Sequence, residues 1–146
     1  MESLLFICMS KLSPEEESRL SILIIAELDD WGVSNAQKLS LLALPSGTRT
    51  RTIHRYQQGE PLPDNSTTRE HVEHILGIAE ALRLAYPRNK QGGKLWLNRA
   101  NKNFAHRTPL AVMIEDGLAG ITAVRMRIDC SYDWFIDEQN NKNNIQ

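Results

Sequence analysis

The sequence predicts an all-α protein, with an N-terminal helix-turn-helix half joined by a long helix to a small C-terminal helical half. Three observations predict it. Apolar residues recur three and four apart rather than alternately, and β-branched residues are scattered instead of gathered in runs. A capping residue followed by proline, the start signal of a helix, stands at Ser13-Pro14 and again at Thr108-Pro109. Gly32, Gly59, Pro87 and Gly117 punctuate the ends of the periodic stretches.

Composition narrows the function classes. The 146 residues suffice for one compact domain or two very small ones, and 41% apolar content lies slightly below the usual range of a folded chain but well above that of a disordered one. A net charge of -1 supplies no global field toward nucleic acid or membrane, so any nucleic-acid contact must be a local patch. Cys8 and Cys130 lie far apart without metal-ligand spacing and read as free thiols of a reducing cytosol, Cys130 as a small buried hydrophobe. The apolar stretch Leu4 to Met9 is too short for a secretory core, and nothing reaches the ~20 apolar residues of a spanning helix. The expectation is a cytoplasmic protein with no membrane partner. Residues 1–12 read as an N-terminal extension, the first eight with no role in the fold.

In the first helix Ser13 caps, Pro14 takes the first turn, and Glu16 sits at the capping-box position. Glu15 to Glu17 favour the positive end of its dipole. Leu20, Leu23, Ile24, Ile25 and Leu28 turn inward, and the helix stops near Trp31-Gly32. A second helix starts at the cap Ser34 and presents Ala36, Leu39 and Leu42 or Ala43, before Leu44-Pro45-Ser46-Gly47 breaks the chain. A third is expected from Thr48 to Gln58, closed by Gly59 and Pro61. Its Ile53 and Tyr56, three apart, face the core. That turns Arg49, Thr50, Arg51, His54 and Arg55 outward, and no acid follows until Glu60. With Thr48 these form the candidate DNA-binding set. Arginines suit guanine edges and phosphates, and threonines suit phosphates or thymine methyls.

After the loop Leu62 to Ser66, Thr67 or Thr68 is expected to cap a long helix. Val72, Ile75, Leu76, Ala79, Leu82 and Tyr86 form its stripe, more core than partner groove, and Pro87 ends it. His71 and His74 stand three apart on this helix but lack a third ligand nearby, and their spacing is not that of a zinc protease, so no metal is expected. Arg88 to Gly93 reads as a polar hinge. The organisation expected is therefore 13–87 for the first domain with its strut, 88–135 for the second, and a disordered tail at 136–146.

The C-terminal half begins with a turn of helix, Lys94 to Asn98, anchored by Trp96. A polar loop to Arg107 follows, with Phe104 plugging the core. Thr108 caps and Pro109 opens a helix that points Leu110, Met113 and Ile114 inward. Gly117 ends it, and the last helix shows Leu118, Ile121, Val124 and Ile128. Gly120 or Ala119 lets the pair approach closely. No phosphate loop, nucleophile triad or paired cysteine ligands occur, and the adjacent Glu115 and Asp116 point in different directions on a helix. The expectation is a binding protein, with no catalytic residues and no cofactor.

Trp96-Leu97-Asn98, Asn103-Phe104, Thr108-Pro109-Leu110, Gly117 and Val124 resemble the toxin-binding domain of the Xre/MbcA/ParS antitoxins. The region from Trp31 to Arg83, with Arg55-Tyr56 and Gly59, resembles their Xre/Cro-like helix-turn-helix. The resemblance covers about two thirds of the chain. It implies a cognate RES-domain toxin that consumes NAD⁺, an antitoxin that blocks access to the toxin's cleft, and repression of its own operon by a homodimer on operator DNA. The toxin contact then falls on Asn98, Arg99, Asn101 and Arg107 of the polar loop, on Arg125, and on the tail aromatics Tyr132, Trp134 and Phe135. The tail departs from the family pattern, which is expected to end near Ile128, and its aromatics either bind the partner or fold back on the helix pair. The alternative is a stand-alone helix-turn-helix repressor whose C-terminal half dimerises or senses a ligand.

Overall fold

In the computed structural model the backbone is described for residues 12–144 and the side chains for residues 12–130. The residues expected to form an N-terminal extension therefore lie, up to Lys11, outside the described residues. Among the described residues the secondary structure is helical throughout, without a strand. Helix α1 runs Pro14–Asp30, α2 Asn35–Leu41, α3 Thr52–Gln57, α4 Ser66–Ala85, α5 Gly92–Leu97, α6 Pro109–Glu115 and α7 Gly117–Asn144, with a 3-10 turn at Lys102–Phe104 between α5 and α6.

The helix starts follow their caps. Ser13 and Glu16 form the reciprocal capping box of α1, and Ser34 with Gln37 forms that of α2. Thr108 accepts from Ala111 N at 3.0 Å, with Pro109 in the first turn of α6. Helix α4 differs from the expected Thr67 or Thr68 cap. Asn65 caps it, accepting from Thr68 N at 2.7 Å, because the Thr68 hydroxyl is engaged elsewhere. Helix α3 is also shorter than its expected span. Thr48 N bonds Pro45 O and Thr52 N bonds Arg49 O, so the chain from Pro45 to Arg51 advances by three-residue turns before α3 begins.

One hydrophobic cluster extends from Ile24 to Ile128 and draws on both sides of the Pro87 to Gly93 connection. Helix α4 is its spine. Between Thr68 and Leu82 ten of its residues are buried, so it lacks the exposed polar face of an ordinary surface helix. On α1, Ile24, Ile25 and Leu28 are fully buried, but Leu23, expected inward, is 41% exposed. It falls just outside the arc that α3 and α4 cover, and Ala36 of α2 is likewise exposed. Cys130, expected buried, is exposed, two residues past the last core position Ile128. The expected hinge holds packed backbone. Gly92 is buried and a Cβ there would lie 2.5 Å from the Tyr86 ring, which lets α5 start against the end of α4.

Helices α6 and α7 meet at Gly120, where a Cβ would stand 2.2 Å from the Val112 carbonyl oxygen. Helix α7 continues to Asn144 rather than stopping near Ile128, so the tail expected to be disordered from 136 is helical backbone to that point. No glycine or proline follows Gly120 to interrupt it.

The contact at Gly120 gives a first prediction. Gly120→Ala should lower stability by about 1–3 kcal/mol, because Val112 O is backbone and cannot rotate away. The midpoint of urea unfolding reads this, and an unchanged midpoint would mean that the two helices separate at no cost.

Candidate nucleic-acid and partner-binding surfaces

The first surface is built around α3. Ile53 and Tyr56 are buried and hold the helix against α1, which leaves Arg49, Thr50, Arg51, His54 and Arg55 exposed. The structure therefore brings the sequence-predicted cluster together, with Arg49, Thr50 and Arg51 on the turn that leads into α3 and His54 and Arg55 on α3 itself. Thr48 is half-buried and donates its hydroxyl to Pro45 O at 2.6 Å, so it shapes the turn. Arg49, Arg51 and Arg55 form no salt bridge among the described residues.

Side chains from elsewhere fix the approach to this turn. Ala43 holds a left-handed φ of 50° just beyond α2, a conformation that costs a non-glycine residue roughly 1 kcal/mol. The Thr68 hydroxyl of α4 donates to Ala43 O at 3.0 Å, and His71 of α4 bonds Leu41 O through Nδ1 at 2.8 Å. A carbonyl can only accept, so His71 carries a proton on Nδ1. Lys38 is buried on α2, where its ammonium pairs with Asp29 of α1 and donates to Asn35 Oδ1 at 2.9 Å. These bonds satisfy polar groups at the end of α2 that would otherwise be buried unpaired.

The second surface follows α5. The Asn98 amide donates to Trp31 O at 3.1 Å and to Lys94 O at 2.9 Å, which pins α5 to the end of α1. Asn101 closes the next loop. Its N–H donates to Arg107 O at 3.1 Å and its Oδ1 accepts from Asn103 N at 2.9 Å, around the left-handed pair Ala105 and His106. Arg107 clamps Glu115 at 2.7 Å and Asp116 at 2.8 Å. These bonds raise the guanidinium pKa and hold the Asp116 carboxyl below its usual range. Both acids sit at the negative end of α6, and Arg107 offsets that placement. Arg99 is exposed and makes no ion pair among the described residues.

Arg125 lies apart from this loop. It is half-buried between α4 and α7, where its Nη1 donates to His74 Nδ1 at 3.0 Å. Its guanidinium rests on Gly77, where a Cβ would come within 2.6 Å of Cζ. The side chains of Tyr132, Trp134 and Phe135 lie outside the described residues.

Two hollows adjoin the second surface. A groove of about 370 Å³ is lined by Phe104, Val112, Ala119, Gly120 and Ala123, with Arg107 and Asp116 at its polar side. A cleft of about 210 Å³ between α1, α4 and α5 is lined by Glu27, Asp30, Arg83, Lys90 and Lys94 among others. Burial raises the Glu27 carboxyl above its ordinary pKa, against the opposing pull of Arg83. Sequence reading missed both the Glu27 cleft and the buried Lys38, because neither has a local sequence signature.

Among the described residues no three His, Cys, Asp or Glu side chains gather as a metal site, and no helix is long and apolar enough to cross a membrane. No protein-family model matches the chain, and no curated protein is similar to it at a significant level.

The Arg125 contact predicts a pH dependence. Burial, and then the neighbouring Arg125 cation, push the His74 pKa below its ordinary 6.5, with Glu73 and Glu70 opposing. Below pH 6.5 the unfolded chain therefore binds a proton that the folded chain resists, and stability falls as pH drops through that window. Thermal melts from pH 7.5 to 5 should show a smaller loss of Tm in His74→Gln than in the wild type. Parallel curves would assign the pH dependence to other groups.

Proposed function

We propose that this protein is an antitoxin that neutralises a cognate RES-domain, NAD⁺-consuming toxin by direct binding near the toxin's active-site cleft, and that it represses its own operon by binding operator DNA. The action is stoichiometric binding rather than turnover. The observation that carries the DNA half is the group Arg49, Arg51 and Arg55, exposed and without a salt-bridge partner among the described residues, on a turn and helix that Ile53 and Tyr56 anchor. In this reading α2 and α3 are the two helices of an Xre-like helix-turn-helix, and α3 enters the major groove. Thr50 and His54 supply neighbouring contacts. The sequence resemblance supports the toxin half. Toxin contact falls on the loop that Asn98, Asn101 and Arg107 hold rigid, on Arg99 at its open side, and on α7. Binding as a homodimer in a cytoplasmic toxin–antitoxin complex completes the reading.

A second reading is a stand-alone repressor whose C-terminal half senses a ligand. The cleft between α1, α4 and α5, lined by Glu27, Asp30, Arg83, Lys90 and Lys94 among others, favours it. Co-expression with the neighbouring gene separates the two, because growth rescue and copurification are expected only of an antitoxin.

Two outcomes test the assignments. Arg51→Ala should weaken operator binding by about 1–3 kcal/mol in a gel-shift titration if it meets a base edge, and unchanged affinity would remove it from the set. Truncation after Asp129 should weaken toxin neutralisation and leave operator binding intact. Full neutralisation by the shortened chain would take the tail out of the toxin contact.

A further inference from the structure

Between Glu80 and Glu115 the chain contains seven Lys and Arg residues and no acid, although its net charge is only -1. This run includes α5 and the loops on either side. The buried face of α5 is formed by Gly92 and Leu97, with Trp96 half-buried beside them. Its other face carries Lys94 and Leu95, with Gln91 at its N-cap, Asn98 at its C-cap and Arg99 just beyond, all exposed. Lys90 precedes Lys94 by four residues, lines the same cleft, and is also exposed. Lys90, Lys94 and Arg99 form no ion pair among the described residues. The acids that line the cleft with Lys90 and Lys94 are Glu27 and Asp30, and Glu27 is already engaged by Arg83 and Trp31. Asn98 ties the helix to Trp31 O, so the face is held in place before any partner arrives.

We propose that this face of α5 docks an acidic protein surface, with Leu95 at its centre and Lys90, Lys94 and Arg99 as the pairing cations. Charge complementarity names the partner's chemistry, and Leu95 names its class. A leucine 53% exposed contributes nothing to a phosphate backbone, whereas a dry apolar centre ringed by charge is the anatomy of a protein interface. This proposal rests on the toxin-docking reading above, with which it shares Arg99, and adds Lys90, Lys94, Leu95 and the electrostatic character of the partner. It also separates this face from that of α3, which carries arginines and threonines with no exposed apolar side chain among them.

The test uses the full chain with fluorescent poly-L-glutamate and, separately, a 20-base-pair duplex, both read by anisotropy at low salt. The triple variant Lys90→Glu, Lys94→Glu, Arg99→Glu should weaken poly-L-glutamate binding by more than about tenfold and duplex binding by less than about threefold. The triple variant Arg49→Glu, Arg51→Glu, Arg55→Glu should show the reverse order. The glutamine version of the first triple should lose an intermediate amount, and superimposable thermal melts establish that all the variants fold. Equal losses of poly-L-glutamate binding in the two triples, or no loss in the first, would overturn the proposal. A larger loss of duplex binding in the first triple would overturn it in favour of a nucleic-acid face. Failure of growth rescue with the neighbouring gene, alongside the expected poly-L-glutamate result, would remove the antitoxin reading and leave an acidic partner of another kind.

Discussion

One row of residues on α4 ties the molecule together. Thr68, His71, His74 and Gly77 follow one another at three-residue spacing along the helix. Thr68 and His71 grip the carbonyls of Ala43 and Leu41 at the end of α2, while His74 and Gly77 receive the Arg125 guanidinium from α7. The apolar burial of α4 supplies the driving force, but that force has no direction. The polar row supplies the direction, because each bond fixes one partner helix at one height along α4. Breaking it also costs more than forming it gains, since an unpaired group would remain buried.

The small net charge conceals a segregated distribution. From Trp31 to Gly59 and from Ala81 to Ile114 the chain carries cations without a single acid, and the acids fall outside these two runs. A local field matters within about 8 Å in physiological salt, so two patches separated by acidic helix can act independently of the total. The buried Lys38 does not belong to the α3 patch in function, because its charge is consumed by Asp29. The exposed arginines that follow it keep theirs.

Helix positions were legible in the sequence wherever a cap set them. Ser13, Ser34, Thr108 and Gly117 mark boundaries through bonds or dihedral angles of adjacent residues, which a local pattern records. The long stripe of α4 was legible through its period. The failures came where a distant group decided the outcome. Thr68 looks like a cap until its hydroxyl is seen on Ala43, 25 residues away, which leaves Asn65 to cap. Leu23 has the spacing of a core residue, but no neighbouring helix reaches it. The start of α3 depends on the three-residue turns after Pro45, which preserve the basic composition while moving Arg49 and Arg51 from helix to turn. At the candidate sites composition identified Arg49, Arg51, Arg55 and Arg99 as exposed cations. It could not tell them from Arg107, which pairs with Glu115 and Asp116, or from Arg125, which bonds His74.

Under the proposed function, that division among arginines bears on how toxin binding and DNA binding on one chain influence each other. Glycines in the Arg88 to Gly93 connection suggest a hinge, but Gly92 is packed on Tyr86 and Gly93 on Leu82, and one core spans both sides. Free pivoting would expose that packing, so coupling by large rigid rotation is costly. The remaining route runs through α4. A ligand that shifts α7 acts on Arg125, and through His74 on the same helix whose Thr68 and His71 hold the turn before α3. Under the proposed function, such a shift changes DNA affinity only if the ligand's affinity differs between the two placements of α7, and the effect is reciprocal. In this structure Arg125 is bonded to His74 and Arg107 to Glu115 and Asp116, and the arginines of α3 are exposed. In the proposed reading, contact with a partner and transmission of that contact therefore fall to different residues of the same type.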